Sequence, residues 1–191
     1  MSVRHFTLEA VDWDAWMPPV EPDTATPAQR AALDASPQAN SAYFRTLAHD
    51  VASLAERSPL FHAVMYVPRG LKRAERELAV VVVSVINGCV YCSSVHARRF
   101  VELAKQPEVI RALYEQGVDT PLPPRLRAIV DYAAKLTRTP EAMTVADLQP
   151  LRAAGLDDLE IHDLTNAVAM FANANRLMQT LGEPIMSQAA E

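Results

Sequence analysis

Glycine is scarce in this chain, with 5 in 191 residues, and cysteine scarcer still, with 2. Two cysteines exclude a disulfide-stapled scaffold, and a chain this long buries a core without one. Aromatic residues are only 6%, too few for a base-stacking platform. There is no excess of basic charge, since the formal net charge is −5, which argues against nucleic acid or an anionic membrane as a partner. Long apolar runs are also missing. The longest, Leu78–Ile86, is interrupted only by Ser84 and falls well short of the roughly 20 residues a bilayer requires. The first 20 residues carry scattered acids and no apolar core segment, so no secretory leader is expected and a cytoplasmic location is.

What is present is proline, 14 in all, and a hydrophobic fraction of 50%. Pro18, Pro19, Pro22 and Pro27 crowd the beginning, so residues 1–25 read as an extended arm and 26–191 as one helical domain. Trp13 and Trp16 within the arm are expected to pin it to the core or to a neighbouring subunit. Thr26-Pro27 is a helix start leading into Ala28–Ala35. Apolar spacing then predicts helices over Ser41–Arg57, Arg73–Ile86, Val90–Lys105, Glu108–Gln116, Pro124–Leu136, Thr144–Ala154 and Asp157–Leu181. Pro59–Val67 reads as a short apolar segment, Gly182 as the closing cap of the last helix and Met186–Glu191 as a fraying end. The run Ala79–Ile86 is rich in β-branched residues and would pass as a buried strand. It continues from Leu71–Leu78, a strong helix-forming stretch, and nothing else in the chain reads as strand, so the reading is all-α.

The chemistry concentrates in Glu77 to Phe100, ELAVVVVSVINGCVYCSSVHARRF. Asn87-Gly88 breaks the helical pattern and Cys89 opens the next helix, where backbone N–H groups and the helix dipole favour thiolate. Cys92 lies three residues on and His96 four beyond that, so the three share one stripe. His96 is one turn from Cys92 and within reach of its thiol proton, directly or through a water. That makes Cys92 the better-served nucleophile and Cys89 the natural resolving thiol. Residues three apart on a helix have Cα atoms roughly 5–5.5 Å apart, inside the disulfide window. If the two helices fold back across Asn87-Gly88, Glu77 approaches the stripe and would orient the imidazole, with Glu75 as the alternative.

Other readings stand beside this one. Three clustered candidate ligands fall short of the four a structural zinc site uses. A helical interaction module with an inert cysteine pair is the reading from outside catalysis. His5, His49, His62 and His162 read as surface or satisfied histidines, and Arg98-Arg99 as a solvated face. Phe44, Phe61, Met65, Phe100 and Phe171 read as core.

The pattern Glu77-x11-Cys89-x2-Cys92-x3-His96 resembles the active site of AhpD-like alkylhydroperoxidases, within the carboxymuconolactone decarboxylase-like superfamily. The proline-containing extension resembles its peroxidase-related subgroup. The likeness is specific over Glu77–Phe100 and looser downstream, including Asn173–Leu177. It implies an all-α, AhpD-like fold with the CxxC pair on an antiparallel helix hairpin, assembled as a trimer or hexamer. It implies peroxidase activity on organic hydroperoxides or hydrogen peroxide, with Cys92 attacking, Cys89 resolving, and Glu77 and His96 relaying protons. It implies an external dithiol reductant, lipoyl-bearing or thioredoxin-like, and no metal or other cofactor. A thiol-disulfide oxidoreductase is the nearest alternative. The alkylhydroperoxidase has a histidine immediately before the second cysteine. Here Tyr91 stands there, a poor base near neutral pH with a reference pKa of about 10 and a candidate substrate-binding residue.

Overall fold

The computed structural model describes residues 5–36 and 39–186. Residues 187–191, expected to fray, lie outside that set. The centre of the fold is α4 (Arg73–Asn87), whose residues from Glu75 to Ser84 are all buried. The β-branched run that could have been a strand is helical because it carries straight through from Arg73. It is also enclosed by α5 (Val90–Ala104), α7 (Pro124–Arg138) and α9 (Asp158–Thr180), which pack against α4. A helix that is apolar on all sides belongs in such a position. Gly88 ends α4 at φ 73°, a left-handed conformation that glycine adopts at no steric cost, and the chain reverses into α5. That turn makes the hairpin on which the cysteines sit.

Around this centre lie α1 (Pro27–Asp34), α2 (Ala42–Leu47), α3 (Val51–Met65), α6 (Pro107–Gln116) and α8 (Gln149–Ala153). Thr26 and Gln29 close a reciprocal capping box on α1, and Asp157 with Glu160 does the same on α9. The expected single helix over Ser41–Arg57 is instead two. Asp50 accepts hydrogen bonds from Ser53 N (3.1 Å) and Ser53 Oγ (2.5 Å), and this local cap interrupts the helix and starts α3. Pro59 does not end α3 but lies inside it. The residue whose carbonyl it leaves without that helical partner, Ala55, is exposed. The helix expected over Thr144–Ala154 is a 3₁₀ turn over Val145–Leu148 followed by α8.

The all-α expectation needs one correction. Val11–Ala15 (β1) and Gly182–Met186 (β2) form an antiparallel pair with Trp13 opposite Pro184 and Ala15 opposite Gly182. Along Val11-Asp12-Trp13-Asp14 burial alternates as in a strand, with Val11 and Trp13 buried and the aspartates exposed. Gly182 is therefore a strand residue and not a helix cap. A Cβ there would collide with the Asp14 carbonyl and the Trp13 ring. Trp13 pins the segment to the core as expected, donating from Nε1 to the Met178 carbonyl (3.0 Å), whereas Trp16 is largely exposed. No helix among the described residues is long and apolar enough to cross a membrane.

Candidate active site

Cys89 takes the N-cap position of α5, as its place after Gly88 predicts, but its side chain makes no capping hydrogen bond. Cys92 follows in the first turn. Both are buried and in the thiol form, with no disulfide between them. They belong to a small apolar cluster with Trp13, Tyr43 and Met178, so the β1 segment and α9 close over the pair. The Cys92 thiol is pushed well above the ordinary value of 9.0. The hydrogen-bonded neighbour Cys89 is the first cause and burial the second, with Asn175 and Arg57 opposing them. The Cys92 thiol therefore holds its proton more tightly than a free cysteine does, and its ionisation calls for a base.

A candidate base lies one turn along. His96 is buried and its Nδ1 is hydrogen-bonded to Glu77 Oε2 across the α4–α5 hairpin. Of the two candidate acids, Glu77 is the one that meets His96. Glu75 turns the other way and pairs with Arg125 (Nε–Oε1 2.6 Å). Glu77 has no exposed surface. Burial raises its pKa, but the charges of His96 and Arg73 and their hydrogen bonds outweigh burial and hold the carboxyl below its usual range. Arg73 Nε donates to Glu77 Oε1 at 2.5 Å. With Nδ1 engaged by the carboxylate, Nε2 is the ring nitrogen left to exchange a proton. Among the described residues no direct hydrogen bond joins His96 to the Cys92 sulfur.

Cys92 and His96 both line a cavity of about 100 Å³, open on one side, and Cys89 does not. Its apolar wall is Phe44, Phe61, Met65, Phe171 and Met178. The Phe171 ring meets His96 edge-to-face at 4.5 Å. Tyr91 is also in the lining. Its hydroxyl pKa is raised, by burial first, so it is no base at neutral pH.

Several residues of the site escape sequence reasoning. Arg73 is one helical turn before Glu77, so its i,i+4 spacing was a readable signal. Asn175 donates to Ser84 Oγ (3.2 Å), accepts from Asn87 Nδ2 (3.1 Å) and also faces Cys92. It stands four residues after Phe171 on the inner face of α9, where its amide is fully buried. Arg57 shares the apolar face of α3 with Leu54 and Phe61 and reaches the cavity. His62 and Arg99, read as surface residues, line the cavity as well. Phe44, Phe61, Met65 and Phe171, read as core, form its wall.

Comparison with known proteins identifies the family and the fold. The carboxymuconolactone decarboxylase family profile matches residues 54–135, the span from α3 through the cysteine hairpin into α7. A peroxidase-related protein from Silicibacter sp. TM1040 is 31% identical, with 73% of this chain and 74% of that one aligned and a TM-score of 0.66. An AhpD-core peroxidase-related protein from Ralstonia eutropha JMP134 is 28% identical over 87% of this chain and 90% of that one, with a TM-score of 0.75. A debrominase at 14% identity shares the fold, with a TM-score of 0.71 over 91% of this chain and 94% of that one. No curated protein matches. The chain belongs to the AhpD-like carboxymuconolactone decarboxylase family.

Proposed function

We propose that this protein is a thiol-dependent peroxidase that reduces organic hydroperoxides or hydrogen peroxide. The observation that carries the reading is the shared cavity. Cys92 opens onto it, His96 lines it one turn away, and Glu77 holds the imidazole from behind. His96 Nε2 takes the Cys92 proton as peroxide arrives. The thiolate attacks one peroxide oxygen and the O–O bond breaks. The leaving oxygen takes the proton from His96 as alcohol or water, and Cys92 becomes a sulfenic acid. The Cys89 thiol then displaces hydroxide from that sulfur, forming the disulfide and releasing water. An external dithiol, on a lipoyl-bearing or thioredoxin-like protein, reduces the disulfide by exchange. The apolar wall suits an organic substrate, and Tyr91 borders it.

The test is turnover of an organic hydroperoxide with dihydrolipoamide or thioredoxin as donor. Steady consumption in wild type, abolished in Cys92→Ser and in Cys89→Ser, is the expected result. Rapid reduction of a model protein disulfide without peroxide consumption would favour the thiol-disulfide oxidoreductase. Neither activity in a folded protein would leave the binding module.

A further inference from the structure

The cavity beside Cys92 carries a charge pattern that peroxide chemistry alone does not use. Two guanidinium groups line it, Arg57 from α3 and Arg99 from α5, and no aspartate or glutamate does. In a chain of net charge −5 this is a local reversal. Neither arginine forms an ion pair among the described residues, whereas Arg69, Arg73, Arg76, Arg125 and Arg127 all do. The nearby acids are committed or outside. Glu77 is held by Arg73 and His96, and Asp12 lies beside Tyr91 without lining the cavity.

Arg57 is fixed in place by rings and not by charge. Its guanidinium carbon lies 3.8 Å from the Phe61 centroid, 5.3 Å from Phe44 and 5.6 Å from Tyr43. A guanidinium over a ring face keeps its in-plane N–H donors available, here to the Tyr43 hydroxyl and to the cavity that both residues line. Its Nε is buried with no hydrogen-bond partner. A partly buried cation without a counter-charge is unfavourable unless an anion completes it. At the mouth, Arg99 Nη1 donates to the Tyr66 hydroxyl (3.1 Å) and its remaining donors are uncommitted among the described residues.

We infer that Arg57, with Arg99 at the mouth, forms an anion subsite, and that the substrate is a hydroperoxide carrying a carboxylate on a compact apolar body. The body lies against Phe61 and Phe171, the hydroperoxide reaches Cys92, and the carboxylate meets the guanidinium groups. A cavity of about 100 Å³ that is open on one side takes a single ring or a short chain. The identity of the reacting group rests on the peroxidase reading, but the anion subsite does not.

A matched pair of substrates tests this: cumene hydroperoxide and the same molecule with a para-carboxylate. In wild type the carboxylate form is expected to have a kcat/KM about tenfold higher or more, the size of one charge-assisted contact. In Arg57→Gln and in Arg99→Gln that ratio falls toward one, and Arg57→Lys keeps part of it. Arg57 also favours the Cys92 thiolate, but loss of that effect slows both substrates together and leaves their ratio unchanged. A wild-type ratio near one, or a ratio that survives both glutamine variants, overturns the inference. Calorimetric binding of the two corresponding redox-inert alcohols separates the questions. Tighter binding of the carboxylate alcohol in wild type and not in Arg57→Gln supports the subsite even where neither hydroperoxide is consumed, an outcome that removes the peroxidase reading alone. Equal affinity for both alcohols, or binding of neither, overturns the subsite whatever the turnover.

Discussion

Glu77 is an acid with no exposed surface that stays ionised because Arg73 and His96 face its two oxygens. Its folded pKa is lowered, so it adds stability above the ordinary carboxyl value of 4.5, and that contribution is lost as pH falls through the lowered folded value. The gap in urea midpoint between wild type and Glu77→Gln is therefore expected to be widest near neutral pH and to narrow below about pH 4.5. A gap independent of pH would mean that the carboxyl is not ionised in the fold. Cys92 moves in the opposite direction, upward, with Cys89 as its first cause and burial as its second. Replacing Cys89 with serine removes the first cause. Site-resolved alkylation of Cys92 across pH should then show its midpoint lower in Cys89→Ser than in wild type, and an unchanged midpoint would leave burial as the cause. Of the site's residues, Glu77, Cys89, Cys92 and His96 were legible because spacing on two adjacent helices fixes them. Arg57 and Asn175 were not, because α3 and α9 reach the cavity from far along the chain and local periodicity says nothing of which elements meet.

The helices with strong end signals, α1, α4, α5 and α9, fall within a residue or two of where caps and glycines place them. The errors came where two local signals competed. Asp50 with Ser53 outweighed the apolar spacing that ran across them, and Pro59 sits inside α3 where the residue one turn before it, Ala55, is exposed. The strand pair was missed because five residues at each end pair only through a contact between distant parts of the chain. That pair covers the cysteines through Trp13. Trp13→Ala removes a buried ring and its hydrogen bond and is expected to cost about 3 kcal/mol in denaturant unfolding. It should also raise the alkylation rate of Cys89 and Cys92. Loss of stability with unchanged alkylation would show that β1 does not shield the pair. Gly88→Ala forces a side chain into the left-handed turn and should cost about 1 kcal/mol, a smaller loss than Trp13→Ala.

Taken as one body, the protein carries Glu77, Cys89, Cys92 and His96 on the central hairpin, and the helices around it supply most of the cavity's apolar wall. We propose that the protein assembles as a homo-oligomer, as the resemblance to AhpD-like enzymes led us to expect. Exposed apolar residues on its surface, among them Trp16, Met17 and Leu60, are consistent with partner copies. Light scattering is expected to give three or six times the 21.0 kDa chain mass, and a monomer at working concentration would contradict this.

The measurement that bears most directly on the central claim is free thiols and intact mass after one equivalent of an organic hydroperoxide, in wild type, Cys92→Ser and Cys89→Ser. The account predicts that wild type loses both thiols and two hydrogen atoms. It also predicts that a single added oxygen, on sulfur, is trapped only in Cys89→Ser. An oxygen trapped only in Cys92→Ser would reverse the two roles. Two intact thiols in a folded wild-type protein would contradict the peroxidase account.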